Sequence, residues 1–424
     1  MAKEQNSELK RRNFLKASGA GVVLAAATAP SIARGLDLAK EPVRIAHIGV
    51  GVRGGSLISY TGKTESAKVV AVCDVYGPHL EKGAERSNNP EVRKYTDYTR
   101  MLEDKTIEAV VIATPDHWHE QMLLDAIAAG KDVYCEKGWT TTIASAKRMR
   151  AAVKKNNTVM QLGHQGRQHP AAKEGRRLIK EGALGEVTMV QTGRYFNGTD
   201  ENPPWRWYGW YSNYERPNPD DVVKQLDWEK WLGNLPQIDF NERHFWHWRC
   251  YDRYGTGQAG DLLSHEMDYV QSVLQYGIPD TCMCAGLNAY FKDDRESPDT
   301  WIATYQFEDQ GCTATFEGVM NSKRSQFPEF IGKKARMIYN GIGQDATRFE
   351  VYKDGSAWTP YRGTPPTPDI FFAPGKEHAQ PNHMEDFLQC VRTRQKPQCN
   401  EDEAFIEAAT LIMSVASYKQ KRQV

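Results

Sequence analysis

A glycine-rich turn directly after an apolar run constrains the fold of this 424-residue chain more than any other feature. Residues 43–48 have the pattern of a buried strand, and Gly49-Val50-Gly51-Val52-Arg53-Gly54 follows them. The first two glycines permit a tight turn and the close approach of a pyrophosphate, and the third permits close packing of a helix on the strand. The pattern therefore predicts a dinucleotide site, with oriented backbone N–H groups at the start of the next helix.

A second apolar run, 68–73, ends at Asp74, 25 positions after Gly49. A carboxylate at this place accepts hydrogen bonds from ribose hydroxyls and repels a 2′-phosphate, which favours NAD over NADP. Further buried-strand patterns alternate with helical segments; they lie at 107–113, 131–135 and 158–162. This alternation predicts a doubly wound parallel sheet with its ligands at the carboxyl ends of the strands.

The second half of the chain reads differently. Strand patterns occur at 187–196, 281–291, 300–307, 312–321, 328–340 and 348–353, and several are joined by short polar turns. Such turns are typical of antiparallel pairing. The sequence thus predicts an α/β protein: an NAD-binding Rossmann domain at 41–162, a substrate and oligomerisation α+β domain with an open, mostly antiparallel sheet at 163–380, and a helical segment at 381–424 that packs back on the core.

The N-terminus has the composition of an export signal. Lys10-Arg11-Arg12-Asn13-Phe14-Leu15-Lys16 precedes a weakly apolar stretch, and small residues at Ser31-Ile32-Ala33 suit a signal peptidase. The paired arginines resemble a twin-arginine signal. Residues 1–33 are therefore predicted to direct export to the periplasm through the twin-arginine translocase, with cleavage near Ala33. The apolar stretch is too short to serve as a stable membrane anchor.

Composition excludes several classes of protein. Lys and Arg number 54, as do Asp and Glu, so there is no basic excess of the kind that nucleic-acid binding requires. No run of 18 apolar residues exists, which excludes a polytopic membrane protein. The eight cysteines form no CxxC pair, and His117, His119, His244 and His247 lack an acidic ligand pattern. We therefore expect no metal.

Motifs at the predicted strand ends resemble, in order, those of the Gfo/Idh/MocA oxidoreductases (glucose–fructose oxidoreductase, inositol dehydrogenase and relatives). They are the turn 49–54, Asp74, the T-P-x-x-x-H loop with Thr114, Pro115 and His119, the pair Glu136-Lys137, and Asp261 with His265. The resemblance covers essentially the whole chain beyond the export signal. It implies that the cofactor is bound by Gly49, Gly51, Val52, Arg53, Gly54, Asp74, Thr114, Pro115, His119, Glu136 and Lys137. It also implies a homo-oligomer that assembles through the C-terminal sheet.

Two positions depart from the family pattern. Gly138 stands where the family usually has proline, which leaves the backbone at Lys137 less restricted. Asp116 occupies a place where the family often has asparagine.

Catalysis is expected on a helix that starts near Gln258. Asp261 and His265 lie at i and i+4 and share one face, and Asp268 follows on that face. A neutral histidine suits removal of a hydroxyl proton while the carbon loses hydride, and Asp261 could orient it or hold a neighbouring substrate hydroxyl. Lys137 could donate to the reacting oxygen. Without the family resemblance, an Asp–His pair on an ordinary structural helix would be the favoured interpretation.

Substrate contacts are predicted less directly. Arg167 and Tyr195 resemble family positions beside the substrate, with a plain surface arginine as the alternative for Arg167. Seven of the eleven tryptophans lie between residues 205 and 248. They could form a sugar-binding rim, or a hydrophobic cluster that packs a long insertion.

Export and cofactor chemistry constrain each other. A periplasm does not supply nicotinamide cofactors, so NAD is expected to be loaded before export and to stay bound. The main hypothesis is oxidation of a ring CH–OH of a sugar or glycoside to a keto group, with hydride passed to tightly bound NAD. The alternatives are an NAD-dependent glycosidase, which works by transient C3 oxidation and elimination, and a non-catalytic sugar-binding protein on the same fold.

Overall fold

The apolar runs of the first half form one parallel sheet in the computed structural model, which describes residues 41–196, 198–199, 218–322, 324, 328–341, 347–353, 367–375 and 382–424. The strands are β1 (Val43–Ile48), β2 (Ala67–Cys73), β3 (Arg93–Tyr95), β4 (Ala109–Ile112), β5 (Asp132–Cys135) and β6 (Met160–Leu162). Their order is 3-2-1-4-5-6, and each neighbouring pair runs parallel. The predicted Rossmann sheet is confirmed, with the short β3 as an unpredicted edge strand. The order reverses beside β1, which is where such sheets bind dinucleotides.

Helices cover both faces of this sheet. They are α1 (Val52–Thr61), α2 (Gly77–Arg86), α3 (Tyr98–Leu102), α4 (His119–Ala128) and α5 (Ile143–Asn156). Two glycines of the turn let α1 start against the sheet. Gly49 has φ +77°, and a Cβ on Gly54 would lie 1.9 Å from the Gly49 carbonyl oxygen. Side chains at either position would therefore push the helix off the strand.

A larger sheet forms the second half of the described chain. After α6 (Pro170–Lys180) come β7 (Val187–Tyr195), β8 (Thr281–Leu287), β9 (Thr300–Phe307), β10 (Cys312–Val319), β11 (Glu329–Gly332), β12 (Ala335–Tyr339), β13 (Phe349–Lys353) and β14 (Ile370–Phe372). The order is 14-13-12-11-7-10-9-8, and only the pair of β7 and β10 is parallel. The mostly antiparallel sheet is confirmed. The single strand predicted at 328–340 is instead a hairpin that turns at Lys333 and Lys334.

The remaining helices connect the two sheets. They are α7 (Pro219–Gln225), α8 (Trp228–Leu232), α9 (Glu242–Trp246), α10 (Ser264–Leu274), α11 (His383–Thr393) and α12 (Glu401–Gln420). Phe387 of α11 is buried in the core on one face of the parallel sheet. In α12, Ala404 and Ala408 pack into the core on the other face, whereas Leu411 belongs to the core of the larger sheet. A single helix thus buries residues in both halves.

Some sequence predictions fall outside what the structure describes. The export signal at 1–33 lies there, as do Trp205, Trp207 and Trp210. All eight cysteines are buried free thiols. No helix in the described ranges combines the length and the apolar character needed to cross a membrane.

Candidate active site

A cavity of about 560 Å³ lies at the carboxyl edge of the parallel sheet. Two parts of its lining carry the predicted chemistry. We call Gly49, Gly51, Val52, Arg53 and Asp74 the nucleotide wall, and Lys137, Asp261 and His265 the reaction wall. The structure therefore brings the glycine turn, the ribose carboxylate and the three predicted catalytic residues together around one space.

The nucleotide wall fits a dinucleotide. Asp74 is held in place because its two carboxylate oxygens accept from the backbone N–H groups of Val50 (2.8 Å) and Tyr76 (2.9 Å). Gly51 caps α1 without a side-chain hydrogen bond, and no acidic residue lies in the first turn. The helix start therefore presents backbone N–H groups and a partial positive charge to an anionic group.

Glu136 ties the end of β5 to the start of α1. Its Oε1 accepts from Arg53 Nε at 2.7 Å, and the carboxylate is buried beside the cavity. Burial alone would raise the pKa of Glu136, but the charge of Arg53 holds the pKa below its usual value. The predicted cofactor residues Arg53 and Glu136 thus form an ion pair that lines the cavity.

Lys137 is fixed by the segment that carries Asp261. Its Nζ donates to the Asp261 carboxylate (2.6 Å), to the Asp261 carbonyl (3.0 Å) and to the Gly260 carbonyl (3.4 Å). The same carboxylate oxygen of Asp261 accepts from Arg249 Nε at 3.0 Å. Asp261 was predicted to orient His265 or to hold a substrate hydroxyl. The structure places its carboxylate between two cations, where it positions Lys137.

The helix predicted from Gln258 is divided. Residues Ala259–Leu263 form a π-helical turn, and the α-helix begins only at Ser264. A π-turn leaves carbonyl groups outside the regular hydrogen-bond ladder, and such turns often occur at functional sites. Here the carbonyls of Gly260 and Asp261 accept from Lys137.

His265 carries a neutral ring at the cavity. Burial, together with the positive charge of Lys137, holds the pKa of His265 well below its usual value, so the ring is neutral near pH 7. Its ring packs edge-on against His164, with the ring centroids 5.5 Å apart. His164 in turn contacts Glu407 of α12 through Nε2 at 3.1 Å.

The T-P-x-x-x-H loop divides between the cavity and the protein interior. Thr114 and Pro115 line the cavity. His119 is fully buried instead, with its two ring nitrogens each 3.0 Å from a carbonyl oxygen, of Gly138 and of Thr114. It was predicted to bind cofactor, but its contacts make it a brace between the loops that follow β4 and β5. Gly54 is likewise buried and serves helix packing.

Of the four predicted substrate contacts, Asp261 and His265 line the cavity, whereas Arg167 and Tyr195 are not part of its lining. Arg167 is buried in ion pairs with Asp268 (2.6 Å) and Glu403 (2.8 Å). The Tyr195 hydroxyl donates to Glu317 on the neighbouring strand. Arg167 thus joins α10 to α12, and Tyr195 pairs with the strand beside β7, so neither contact supports the prediction of substrate binding, which stays a prediction.

Other residues take their place. Arg194, one position before Tyr195, lines the cavity together with Asp116, Trp248 and Arg249. The Arg249 guanidinium lies 4.2 Å from the centre of the Trp248 ring. Successive side chains of β7 point to opposite faces of the sheet, so Arg194 and Tyr195 were the two candidates for the cavity face. No local signal marked Arg249.

Part of the tryptophan-rich stretch also borders the cavity. We call residues 226–248 the aromatic segment. Three of its side chains, Trp231, Phe245 and Trp246, are buried and also line the cavity. Trp228 stacks on Trp231 with the ring centroids 4.7 Å apart. For Trp231 and Trp246, packing and cavity lining therefore coincide, whereas Trp228 packs on Trp231 without being part of the lining.

Residues 43–164 match the family model described as "Oxidoreductase family, NAD-binding Rossmann fold", and residues 237–424 match "Oxidoreductase family, C-terminal alpha/beta domain". Together the two models cover more than two thirds of the chain. The chain belongs to the Gfo/Idh/MocA oxidoreductase family. It is thus a member of a family of NAD-binding oxidoreductases.

Similar proteins include inositol 2-dehydrogenase 1 of Saccharopolyspora erythraea, 34% identical over 151 residues, which are 35% of this chain and 44% of that protein. A glycosyl hydrolase family 109 protein of Shewanella sp. (strain ANA-3) is 29% identical over 206 residues, 42% of this chain and 44% of that one. The matched segments span less than half of these two relatives. Levoglucosan dehydrogenase in complex with NADH and levoglucosan has the same fold, with a TM-score of 0.65 at 18% identity over 90% of this chain and 98% of that one.

The position of His119 leads to a prediction about stability. Burial lowers the pKa of His119 although both carbonyl contacts raise it, and the neutral ring donates a hydrogen bond to one of the two carbonyl oxygens. We expect His119→Ala to lower the free energy of unfolding by about 2–4 kcal/mol, because it removes a buried hydrogen bond and leaves a cavity. Urea denaturation followed by tryptophan fluorescence measures the change. Gln121→Ala, on the exposed side of the same helix, is the control; equal midpoints for the two variants would contradict the bracing role.

Proposed function

We propose that the protein oxidises a ring hydroxyl of a sugar or glycoside to a keto group and passes the hydride to an NAD that stays bound between turnovers. The observation that carries this proposal is the meeting of the reaction wall with the nucleotide wall in one cavity. When bound, NAD supplies the hydride acceptor for this oxidation. All other steps depend on side chains of this chain.

Proton transfer is assigned to His265 and Lys137. The neutral His265 ring accepts the hydroxyl proton of the substrate. Lys137, held by Asp261, donates a hydrogen bond to the same oxygen as negative charge develops on it. The three N–H groups of Lys137 all meet protein oxygens, so the substrate oxygen would replace the longest contact, 3.4 Å to the Gly260 carbonyl, while the two contacts with Asp261 keep the ammonium group in position.

Retention of the cofactor is supported by the aromatic segment. Its backbone donates from Asp227 to the Val75 carbonyl at 3.0 Å, after β2. The Trp118 indole, after β4, donates to the Trp231 carbonyl at 2.8 Å. The segment is therefore attached on both sides of the point where the strand order reverses. These contacts hold Trp231, Phe245 and Trp246 at the cavity, and this enclosure by large side chains supports retention of a dinucleotide there.

The preference for NAD is supported by Asp74. Its side chain is only 10% exposed and its two backbone hydrogen bonds fix it at the cavity. A 2′-phosphate placed there would meet a fixed negative charge.

A sugar substrate is supported by the lining of the reaction wall and by the relatives. Trp248 and the charged donors Arg194 and Arg249 line the cavity that the reaction wall shares. Aromatic faces and fixed polar groups together suit rings that carry several hydroxyl groups. Relatives are named as inositol and levoglucosan dehydrogenases.

A glycosidase is the second candidate. It is favoured by the similarity to a glycosyl hydrolase family 109 protein. In that reaction, oxidation at C3 acidifies the proton at C2; a base removes it, the aglycone leaves, water adds, and the hydride returns. Both candidates share the first oxidation and differ in whether hydride returns to the same molecule.

Export by the twin-arginine pathway and assembly through the larger sheet complete the proposal. The outer face of that sheet carries Met283 (61% exposed), Leu287 (70%) and Ile302 (53%) on neighbouring strands, and an apolar patch of this kind suits a contact between copies. Cell fractionation tests the proposed export.

Sedimentation of Leu287→Lys tests the proposed assembly, because an unchanged oligomeric state would exclude this face as the contact.

The deciding experiment uses purified mature protein with no added nucleotide. It is mixed with excess aryl glycoside while the absorbance of reduced nicotinamide and the release of aglycone are followed together. A single burst of reduction equal to the enzyme concentration, with a keto-sugar product, supports the dehydrogenase. Continuous aglycone release without lasting reduction supports the glycosidase. No cofactor in the purified protein would contradict retention.

The reaction wall is tested by Lys137→Ala and His265→Ala. Each is expected to lower turnover by about two to four orders of magnitude, the usual contribution of a positioned acid or base. Stopped-flow measurement of the burst rate gives the values. Lys147→Ala, on the outer side of α5, is the control. Near-normal rates in both reaction-wall variants would contradict the assignment.

Removal of the Asp74 carboxylate is expected to relax cofactor choice. Asp74→Ala loses both the fixed charge and the contacts that Asp74 makes with the turn, so the variant should retain less NAD or accept NADP. Mass spectrometry of the released nucleotide, after reconstitution with an equal mixture of the two, measures the preference. Unchanged occupancy and selectivity would rule out the ribose contact.

A further inference from the structure

Asp116 is a carboxyl group of the cavity that the proposed reaction does not use. It follows Pro115 at the carboxyl end of β4, is 8% exposed, and lines the cavity beside the reaction wall. Its side chain has no hydrogen-bond or ion-pair partner among the residues that the structure describes. Its oxygens are not among the enclosed unpaired polar atoms of the described residues, so they are open to the cavity, where a bound molecule can pair with them.

Space for this carboxyl is made by three glycines from separate parts of the chain. A Cβ on Gly255 would lie 2.9 Å from Asp116 Oδ2, and a Cβ on Gly138 or on Gly260 would lie 3.3 Å from it. Side chains at these positions would displace the carboxyl. The loop after β5, the loop before the π-turn and the π-turn itself thus form a pocket shaped around Asp116.

Charged groups surround this pocket without pairing to Asp116. The positive charges that act on it are those of Arg249 and Lys137, and the negative charges are those of Asp261 and Glu407. The neighbouring His117 contacts the Trp231 carbonyl. Burial dominates over these charges and raises the pKa of Asp116 to about 7. Arg249 and Lys137 do not neutralise it because both are already engaged by Asp261.

We propose that Asp116 is a substrate-contacting residue that works as a neutral carboxylic acid and donates a hydrogen bond to an oxygen of the sugar. The reaction wall otherwise offers His265 as proton acceptor and Lys137 as a charged donor to the reacting oxygen. A neutral donor binds a second substrate oxygen without adding negative charge where an alkoxide develops. Ionisation of Asp116 removes that donor and places a carboxylate beside the reacting oxygen. This proposal rests on the proposed oxidation of a sugar hydroxyl.

The test compares Asp116→Asn and Asp116→Ala with the wild type between pH 5.5 and 8.5. In the wild type, kcat/KM for reduction of the bound cofactor should fall above about pH 7 as the carboxyl ionises. The Asn variant keeps a neutral N–H donor of the same shape, so it should retain activity at pH 6 and lack this decline. The Ala variant should raise KM at pH 6 about three- to tenfold, the loss of one neutral hydrogen bond.

Asp132→Asn is the matched control. Asp132 is also a buried carboxyl with a raised pKa, but it lies at the amino end of β5, away from the cavity. Its replacement should leave the wild-type pH profile in place. The proposal would be overturned if Asp116→Asn kept both the wild-type KM and the decline of kcat/KM above pH 7. It would also be overturned if Asp116→Asn were inactive at every pH, because the carboxylate would then be the working form. Absence of any reduction burst in the wild type would instead contradict the proposed function.

Thermal unfolding gives a readout that is independent of activity. The folded carboxyl keeps its proton up to about pH 7, whereas the unfolded one loses it near pH 4. The folded state therefore binds the extra proton in this window, and the wild type loses stability as pH rises through it. The melting temperature of Asp116→Asn relative to the wild type should rise from pH 5 to pH 7.5 and then level off. A constant difference would show that Asp116 is ionised at pH 5 and overturn its role as a neutral donor.

Discussion

The contact between Lys137 and Asp261 determines the geometry of the site. Lys137 belongs to the loop after β5 of the parallel sheet, and Asp261 belongs to the turn before α10, which packs against the larger sheet. Their side chains are 10% and 14% exposed, so the 2.6 Å ion pair forms largely away from solvent. Desolvation of such a pair is offset only where further hydrogen bonds satisfy both partners. Here two backbone carbonyls and Arg249 supply them, which fixes the nucleotide wall relative to His265.

A π-turn stands where the spacing predicts an ordinary helix, and it carries two of the partners of Lys137. It places the carbonyls of Gly260 and Asp261 against Lys137 and keeps Asp261 and His265 at the cavity. The Gly260 carbonyl also accepts from the Ser264 hydroxyl at 2.8 Å, so one carbonyl serves two donors. Local sequence carries little sign of this arrangement, because one partner is a lysine 124 positions away.

Features that depend on local patterns were predictable, and those that depend on distant partners were not. The glycine turn and the apolar runs predicted both sheets, because strand burial and turn geometry depend on residues that are adjacent in the sequence. The ion pairs of Arg167 were not predictable, because its partners, Asp268 and Glu403, come from two helices far along the chain. Arg194 rather than Tyr195 lines the cavity, because neighbouring side chains of a strand point to opposite faces and the sequence does not show which face meets the cavity. His119 was correctly placed in its loop, but only the fold shows that two carbonyls enclose it.

The departure at Gly138 is explained by the same reasoning. Proline at this position would carry a Cβ 3.3 Å from both Asp116 Oδ2 and the Gly260 Cα. The glycine therefore belongs with Asp116, and so do Gly255 and Gly260, which make room for the same carboxyl. The two departures from the family pattern, Gly138 and Asp116, thus belong to one arrangement with Gly255 and Gly260, in which the absent side chains leave the space that the carboxyl occupies. Because this arrangement lies beside Lys137, its effect is expected on the protonation of the substrate oxygens rather than on cofactor binding.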